Sequence, residues 1–280
     1  MKIPVNKTLR ILDQTILILT FIIFIILVGC LSILPIAKSK SYYIKETNKN
    51  NVEAILEEYT FNGIKHQHYD KASNTYQSCY WPKYDVTKQD IEKAIDKIID
   101  YLYHSDVTSM QFQILTNDGE VDFFSNQAIE HMKDVKVLFI GGIRLCYLCI
   151  VLFVLCVIYL IFRRKYIANS FLKTYLITVG IFILFGLLIS LFAISNFDLA
   201  FEIFHFIIFP DNSKAYLALS FHACDTLTNV LTSEFFMHIG IIIGITFIGI
   251  LFLSVVICIL LHKYGNLIQT KLFQKENKKD

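Results

Sequence analysis

The sequence predicts a mainly α-helical membrane protein with four transmembrane helices and a small extracytoplasmic α+β domain between the first two. Three observations support this fold class: four long apolar stretches, an uneven distribution of charge between them, and a polar segment with its own helix and hairpin signals. Of the 280 residues, 55% are hydrophobic. A chain of this composition is not expected to be a soluble enzyme, a secreted disulfide-rich scaffold or a nucleic-acid-binding protein.

Each apolar stretch is long enough to cross a bilayer as a helix. A hydrocarbon core of about 30 Å needs about 20 residues of helix, and the stretches have 22 to 26 residues. None shows the period-2 alternation of a transmembrane β-barrel. The predicted spans are residues 14–37, 137–162, 174–195 and 237–261.

The charges between the spans predict the orientation of the chain. Residues 1–13, 163–173 and 262–280 together carry a net charge of +9, whereas residues 38–136 and 196–236 together carry −8. Because basic residues close to a span stay in the cytosol, both termini are expected to be cytosolic. The two acidic segments are expected to be extracytoplasmic, so the sequence predicts a multi-pass cell-membrane protein that acts at the outer leaflet.

The first extracytoplasmic segment, residues 38–136, has the signals of a folded domain. A short helix is predicted over residues 50–59. A longer helix begins after Thr87, an N-cap with Asp90 three residues later, and its regularly spaced Ile residues predict a buried face. The sequence Asn117-Asp118-Gly119 between two β-type runs predicts a hairpin.

The first candidate site lies where this domain joins the second span. Ser125 is predicted to cap a helix that continues into the membrane. On this helix His131 and Asp134 are three residues apart, so their side chains share a face. A single His beside a single Asp is also typical of an ordinary solvated helix turn.

The segment after the third span predicts an amphipathic helix in the headgroup region of the bilayer. Its histidine would lie at the level of a lipid ester, or alternatively would be part of an aromatic membrane anchor with its polar tip toward water. Helical phase places two sets of residues on different faces: Phe197, Phe201, Phe204 and Ile208 on one, and Asp198, Glu202 and His205 on the other.

Arg144 is the one formal charge inside the predicted spans. The helical rise places it about 10 Å into the bilayer. A charge at that depth is costly and is therefore a candidate site residue. Its alternative role is a structural ion pair with Asp198 or Glu202.

The cysteines are divided between the predicted spans and the extracytoplasmic segments. Five of the seven lie in the spans, where Cys usually packs as a small hydrophobic residue. Cys79 and Cys224 lie in the two extracytoplasmic segments and are candidates for a disulfide.

Taken together, these residues resemble a known family, the bacterial lipoprotein intramolecular transacylases. These are four-span integral membrane proteins that form lyso-form lipoproteins, and the resemblance covers nearly the whole chain. It is carried by Glu130-His131-Met132-x-Asp134 before the second span, by Asn196-Phe197-Asp198, Phe204-His205 and Phe209-Pro210 after the third, and by Asp225-Thr226-Leu227 and Glu234-Phe235-Phe236 before the fourth.

The resemblance implies an acyltransferase. Its reaction would move the sn-2 acyl chain of a diacylglyceryl-cysteine to the α-amine of the same N-terminal cysteine. Diacylated bacterial lipoproteins would be the substrate and membrane lipid the surroundings, with no cofactor, metal or nucleic acid. The family's two essential histidines correspond to His131 and His205. The second-tier candidates are Glu130, Asp134, Arg144, Asp198 and Glu202.

Two histidines suit this chemistry. The substrate amine must lose a proton, and its reference pKa is about 7.7–8.0. One imidazole can accept that proton, while the other donates to the oxyanion or to the leaving oxygen. The favoured assignment makes His131 the base, oriented by Asp134, and His205 the donor. The swapped roles and an acyl-histidine on His205 stay open.

Three other function classes compete with this interpretation. The first is a metal-dependent membrane hydrolase with His131, Asp134 and His205 as ligands. The second is a sensor, which the 11-residue cytosolic loop and the 19-residue tail disfavour because neither can hold an output domain. The third is a non-enzymatic membrane assembly factor, for which replacing either histidine by Ala would be silent.

Overall fold

The structure of the protein is a computed structural model that describes residues 7–61, 66–70, 75–79, 87–116, 119–209, 211–222 and 225–276. The helices and strands, in chain order, are α1 (Lys7–Ala37), α2 (Lys40–Lys49), α3 (Val52–Phe61), β1 (His66–Asp70), β2 (Thr75–Cys79), α4 (Lys88–Tyr103), β3 (Gln113–Thr116), β4 (Gly119–Asp122), α5 (Asn126–Ser195), α6 (Phe197–Ile208), α7 (Asn212–Leu219), α8 (Thr226–Val230) and α9 (Ser233–Glu276).

The chain divides into two compact units. Unit 1 consists of Met1–Ile33, Arg144–Ser190 and Ile243–Asp280. Unit 2 consists of Leu34–Ile143 and Leu191–Ile242. Unit 1 therefore takes most of each long apolar helix, and unit 2 takes the mixed helix and strand elements together with α6, α7 and α8.

Among the described residues, three helices are long and apolar enough to cross a membrane: α1, α5 and the Ser233–Tyr264 part of α9. The sequence predicts four spans. The difference arises in α5, a helix of 70 residues that contains both the second and the third predicted span. The residues between these spans, 163–173, contain neither Pro nor Gly, so the local sequence has no helix-breaking residue there.

Unit 1 packs α1 against both halves of α5. The first half of α5 runs antiparallel to α1. The contacts that show this are Cys30 with Cys146, Phe24 with Phe153, and Asp13 with Arg163. The second half of α5 runs parallel to α1, with contacts of Gln14 with Ser170 and of Phe21 with Tyr175.

A buried carboxylate lies near the start of α1. The side chain of Asp13 is 2% exposed. It accepts hydrogen bonds from Nε and Nη2 of Arg163, both at 2.8 Å, and from the hydroxyl of Tyr159 at 2.8 Å. The bidentate arginine compensates the charge that burial of the carboxylate leaves in the protein interior.

The structure contains a disulfide between Cys30 and Cys146 in unit 1. The expectation that these two cysteines pack as small hydrophobic residues is therefore wrong, because their helices bring the two sulfur atoms together. Cys149, Cys156 and Cys258 have free thiols. The suggested pairing of Cys79 with Cys224 lies outside the described residues.

Unit 2 has a core in which α4 and a β-hairpin meet the start of α5. The predicted capping box of α4 is confirmed, since Thr87 accepts from the amide of Asp90 and the Asp90 carboxylate accepts from the amide of Thr87. The predicted hairpin is confirmed as β3 paired antiparallel with β4, although Asn117 and Asp118 lie outside the described residues. The core includes Phe123, Phe124, Ile95, Ile98, Ala128 and Met132.

Two elements differ from the expectations. The helix predicted over residues 50–59 is α3, which begins at Val52 and ends at Phe61. The antiparallel pair β1 and β2 was not predicted, because its residues, such as His66-Gln67-His68, are mostly polar. Polar strands lack the apolar alternation by which a strand is usually predicted.

Candidate active site

The first turns of α5 position His131. Oγ of Ser125 caps the helix by accepting a hydrogen bond from the amide nitrogen of Ala128, 3.0 Å away. The Ser125 hydroxyl also donates to Oδ2 of Asp225 at 2.5 Å. Ala128 and Met132 are buried in the core of unit 2. These contacts fix one side of the helix, and His131 is half-buried beside them.

His205 lies on α6, in the last turn of the helix. Its side chain is buried, with 6% exposure. Its Nδ1 is 2.7 Å from the carbonyl oxygen of Phe201, one helical turn earlier. A carbonyl can only accept, so Nδ1 carries the proton and, in the neutral ring, Nε2 carries the lone pair.

The structure brings the two histidines together. Their ring centroids are 6.2 Å apart, and the ring planes are tilted by 31°. Aromatic side chains surround both rings. Phe209 lies 5.7 Å from His131 and 6.0 Å from His205, Phe221 lies 5.6 Å from His131, and Phe201 lies 4.3 Å from His205.

These surroundings favour the neutral form of both rings. Burial, the larger cause, and the nearby His205 together lower the pKa of His131 to about 4, although Asp134 acts in the opposite direction. Burial also lowers the pKa of His205, and the hydrogen bond to Phe201 opposes that effect. His131 precedes the second predicted span and His205 follows the third, so both rings lie outside the apolar stretches. At neutral pH each imidazole is able to accept a proton.

Asp134 was expected to orient His131, but it forms its ion pair with a different residue. Its Oδ1 is 2.5 Å from Nζ of Lys214, which lies on α7. No hydrogen bond joins Asp134 to His131 among the described residues, although its charge acts on the ring. The orienting hydrogen bond expected from the i, i+3 spacing is therefore not part of this structure.

The other second-tier candidates are exposed. Glu130 is exposed and pairs with Lys133 at 2.5 Å. Asp198 and Glu202 are exposed, and within the described ranges neither forms an ion pair. Arg144 is exposed in unit 1.

Burial along α6 does not follow the two predicted faces. Phe204 is 53% exposed, whereas His205, which was predicted to share a face with Asp198 and Glu202, is buried. Phe201 and His205 are four residues apart and therefore lie on the same side of the helix. Because nearly all positions of α6 are apolar, hydrophobicity alone does not determine which side is covered.

Asp225 is a site-supporting residue that the sequence identified only through the family resemblance. It is buried, caps α8, and accepts from Ser125 and from the amide of Leu227. Burial raises the pKa of its carboxyl group. Through Ser125 it ties the loop before α9 to the helix that carries His131. The Asp-Thr pair before a helical segment is the signal from which this cap is predictable.

The three-ligand metal site of the hydrolase alternative is not formed. In the part of the chain that the structure describes, no group of three His, Cys, Asp or Glu side chains is arranged to hold a metal ion. His131, Asp134 and His205 are neighbours, but Asp134 is paired with Lys214.

The fold is similar to that of a solved bacterial membrane protein. The lipoprotein intramolecular transacylase Lit of Bacillus cereus matches with a TM-score of 0.63 and 19% identity, over 96% of this chain and 100% of that protein. A variant of the same protein with a histidine replaced by arginine matches with a TM-score of 0.56 and 18% identity, over 95% of both chains. No curated protein sequence matches.

A family model gives the assignment at the level of sequence. The model described as "Lipoprotein intramolecular transacylase Lit" matches residues 16–236. The match includes both histidines and most of the chain. The protein therefore belongs to the lipoprotein intramolecular transacylase family.

Proposed function

We propose that this membrane protein transfers the sn-2 acyl chain of a diacylglyceryl-cysteine to the α-amine of the same cysteine in a bacterial lipoprotein. The ester C–O bond breaks, the amide C–N bond forms, and one proton passes from the amine to the glycerol oxygen. The observation that supports this reaction in the site is the pair of histidine rings with centroids 6.2 Å apart among aromatic side chains.

The geometry favours His205 as the base, the reverse of the assignment preferred from the sequence. The Phe201 carbonyl holds the Nδ1 proton of His205, which leaves Nε2 free to take a proton from the attacking amine. This carbonyl has the orienting role that an aspartate has in a catalytic triad. Among the described residues His131 has no such hydrogen-bonded partner, since Asp134 is bound to Lys214.

His131 is then the hydrogen-bond donor to the carbonyl oxygen or to the leaving oxygen. With a pKa of about 4 it is neutral at physiological pH, and a neutral imidazole can donate its N–H to a developing oxyanion. Because a weak base does not readily deprotonate a solvated ammonium group, the amine is expected to react in its neutral form. An apolar site favours that form by desolvation.

The aromatic side chains support transfer over hydrolysis. Nucleophile and ester belong to one substrate, so the site must fold that substrate into a reactive geometry. Phe209 and Phe221 line the ring of His131, and Phe201 lines that of His205. An apolar lining excludes water, which would otherwise hydrolyse the ester.

The chain is further proposed to cross the cell membrane four times, with both termini cytosolic and the site at the outer leaflet. A straight helix of 70 residues would be about 105 Å long, several times the thickness of a bilayer core. The contacts of α1 with the two halves of α5 run in opposite senses, as for a chain that turns back within residues 163–173.

Reporter fusions test this topology. A reporter at Lys165 is expected to be active on the cytosolic side, and one at Asn212 on the external side, because the basic cluster at Arg163 and Arg164 favours the cytosol. Alkaline phosphatase and a cytosolic fluorescent protein give opposite readouts at each position. An external Lys165 would contradict the proposed orientation.

Mass spectrometry of lipoprotein N-termini tests the reaction. The protein is expressed in a bacterial host whose lipoproteins are diacylated and carry a free amine. The expected product is an N-acyl, S-monoacylglyceryl cysteine with two acyl chains in total, because the chain moves within one molecule. A triacylated product would indicate an external lipid donor, and a lyso-lipoprotein without the amide would indicate hydrolysis.

A further inference from the structure

A lysine on a separate helix holds the carboxylate beside His131. Nζ of Lys214 is 2.5 Å from Oδ1 of Asp134, and the Asp134 side chain is 23% exposed. Lys214 lies in the first turn of α7, which Asp211 caps by accepting the amide of Ser213 at 2.9 Å.

The packing of α7 fixes the position of this lysine. Ala215, the next residue, is fully buried, and Ala218 is buried one turn later. Both belong to a small apolar cluster with Phe209, and Val135 of α5 packs against it. Val135 follows Asp134 directly, so α7 lies against the turn of α5 that carries the carboxylate.

Without a partner, Asp134 would act on His131. The two residues are three apart on one helix, and the charge of Asp134 raises the pKa of His131 against the effects of burial and of His205. A carboxylate within about 4–6 Å of an imidazole typically raises its pKa by one unit or more. The ammonium group of Lys214 opposes this effect, since it binds the same carboxylate.

We propose that Lys214 is a positioning residue that keeps Asp134 from pairing with His131, so that His131 stays neutral during acyl transfer down to a lower pH. The effect of Lys214 on catalysis rests on the proposed function, whereas its effect on the protonation of the His131 ring does not. A protonated His131 would repel the proton that His205 has to accept, because the ring centroids are 6.2 Å apart.

Apart from His205, the described ionisable groups close to His131 form contacts of their own. On α6 the ring faces His205. On α7, Asp211 accepts from Ser213 and acts on Lys214. Two further groups are paired near this end of α5: Glu130 with Lys133, and Asp225 with Ser125. Among the described residues, Lys214 is thus the cation that binds the carboxylate whose charge acts on His131.

NMR titration of the His131 ring in the full-length protein tests the proposal directly. The resonance is assigned by its loss in His131→Gln, and Lys214→Met is expected to raise its titration midpoint by about one pH unit. Lys214→Arg should titrate like the wild type. The matched control is Lys40→Met, which breaks another lysine–aspartate pair between helices, Lys40 with Asp96 at 2.6 Å, and should leave the midpoint unchanged.

Asp134→Asn completes a double-mutant cycle. It should change the midpoint little when Lys214 is present, and it should cancel the rise in the Lys214→Met background. A Lys214→Met protein that titrates like the wild type would overturn the proposal. If that variant does not accumulate, Lys214→Gln provides the same comparison with a shorter polar side chain.

The transfer reaction gives a second readout. The rate of Lys214→Met divided by the wild-type rate should fall about threefold between pH 8 and pH 4.5, because at pH 4.5 His131 is mostly protonated in the variant and mostly neutral in the wild type. Protonation of the substrate amine cancels in this ratio. A ratio that is below one but independent of pH would mean a purely structural role and would overturn the proposal. Wild-type protein that forms no N-acyl product would contradict the proposed function, while the NMR shift would still be measured.

Discussion

Replacing His205 by Ala should reduce O-to-N acyl transfer by about 10²–10⁴-fold, the range that loss of a general base typically causes. The physical reason is that Nε2 of His205 has its lone pair directed by the Nδ1 hydrogen bond to Phe201. His131→Ala should cause a loss of similar order, because the oxyanion or the leaving oxygen then lacks its donor. The measurement is mass spectrometry of the lipoprotein N-terminus over time.

His104→Ala is the matched control for both variants. His104 also lies in unit 2, but its side chain is 60% exposed, so its replacement should leave transfer unchanged. All three proteins should accumulate in the membrane and melt at similar temperatures in detergent. Full activity of both the His205 and the His131 variants would show that the mechanism is wrong, even though the chain belongs to the family.

Replacing Arg163 by Met should lower the free energy of unfolding by clearly more than an ordinary surface substitution does, because it removes the cation paired with a buried carboxylate. Asp13 would lose both guanidinium donors, and its 2% exposed carboxylate would retain only the hydroxyl of Tyr159. The free energy of unfolding in detergent micelles, from denaturant titration followed by far-UV circular dichroism, measures the effect.

Arg164→Met is a close control because it removes the same charge from the next position. Arg164 is exposed, so its loss should change the free energy of unfolding by no more than about 0.5 kcal/mol. Adding Asp13→Asn to the Arg163 variant should recover much of the stability, since it removes the uncompensated charge. Equal stability of the Arg163 and Arg164 variants would mean that the pair contributes nothing.

Much of the fold is predictable because it depends on local sequence. The apolar stretches, the capping box at Thr87 and the pairing of β3 with β4 each involve residues close to one another in the sequence. The N-cap at Ser125 and the helix carrying His131 are of the same kind. Tertiary structure does not override these signals, and the helices begin where the caps predict.

The parts that were not predictable depend on contacts between distant residues. Asp134 was expected to meet His131 three positions earlier, but its partner Lys214 is 80 positions later. Nothing in the spacing along one helix indicates a lysine on another. Likewise, the Cys30–Cys146 disulfide joins residues 116 positions apart. In α6, the contrast between the polar and apolar residues did not predict that His205 is buried while Phe204 is exposed.

The acceptor that orients His205 is a main-chain carbonyl, and this affects how the site responds to mutation. Every residue type at position 201 supplies the same carbonyl, so no single side-chain replacement there deletes it. An alanine scan would therefore identify two histidines and no third member, and a search for triads by side-chain pattern would pass over the site. Substitutions that keep the helical turn from Phe201 to His205 also keep this hydrogen bond, since the backbone of that turn sets the tautomer of the ring.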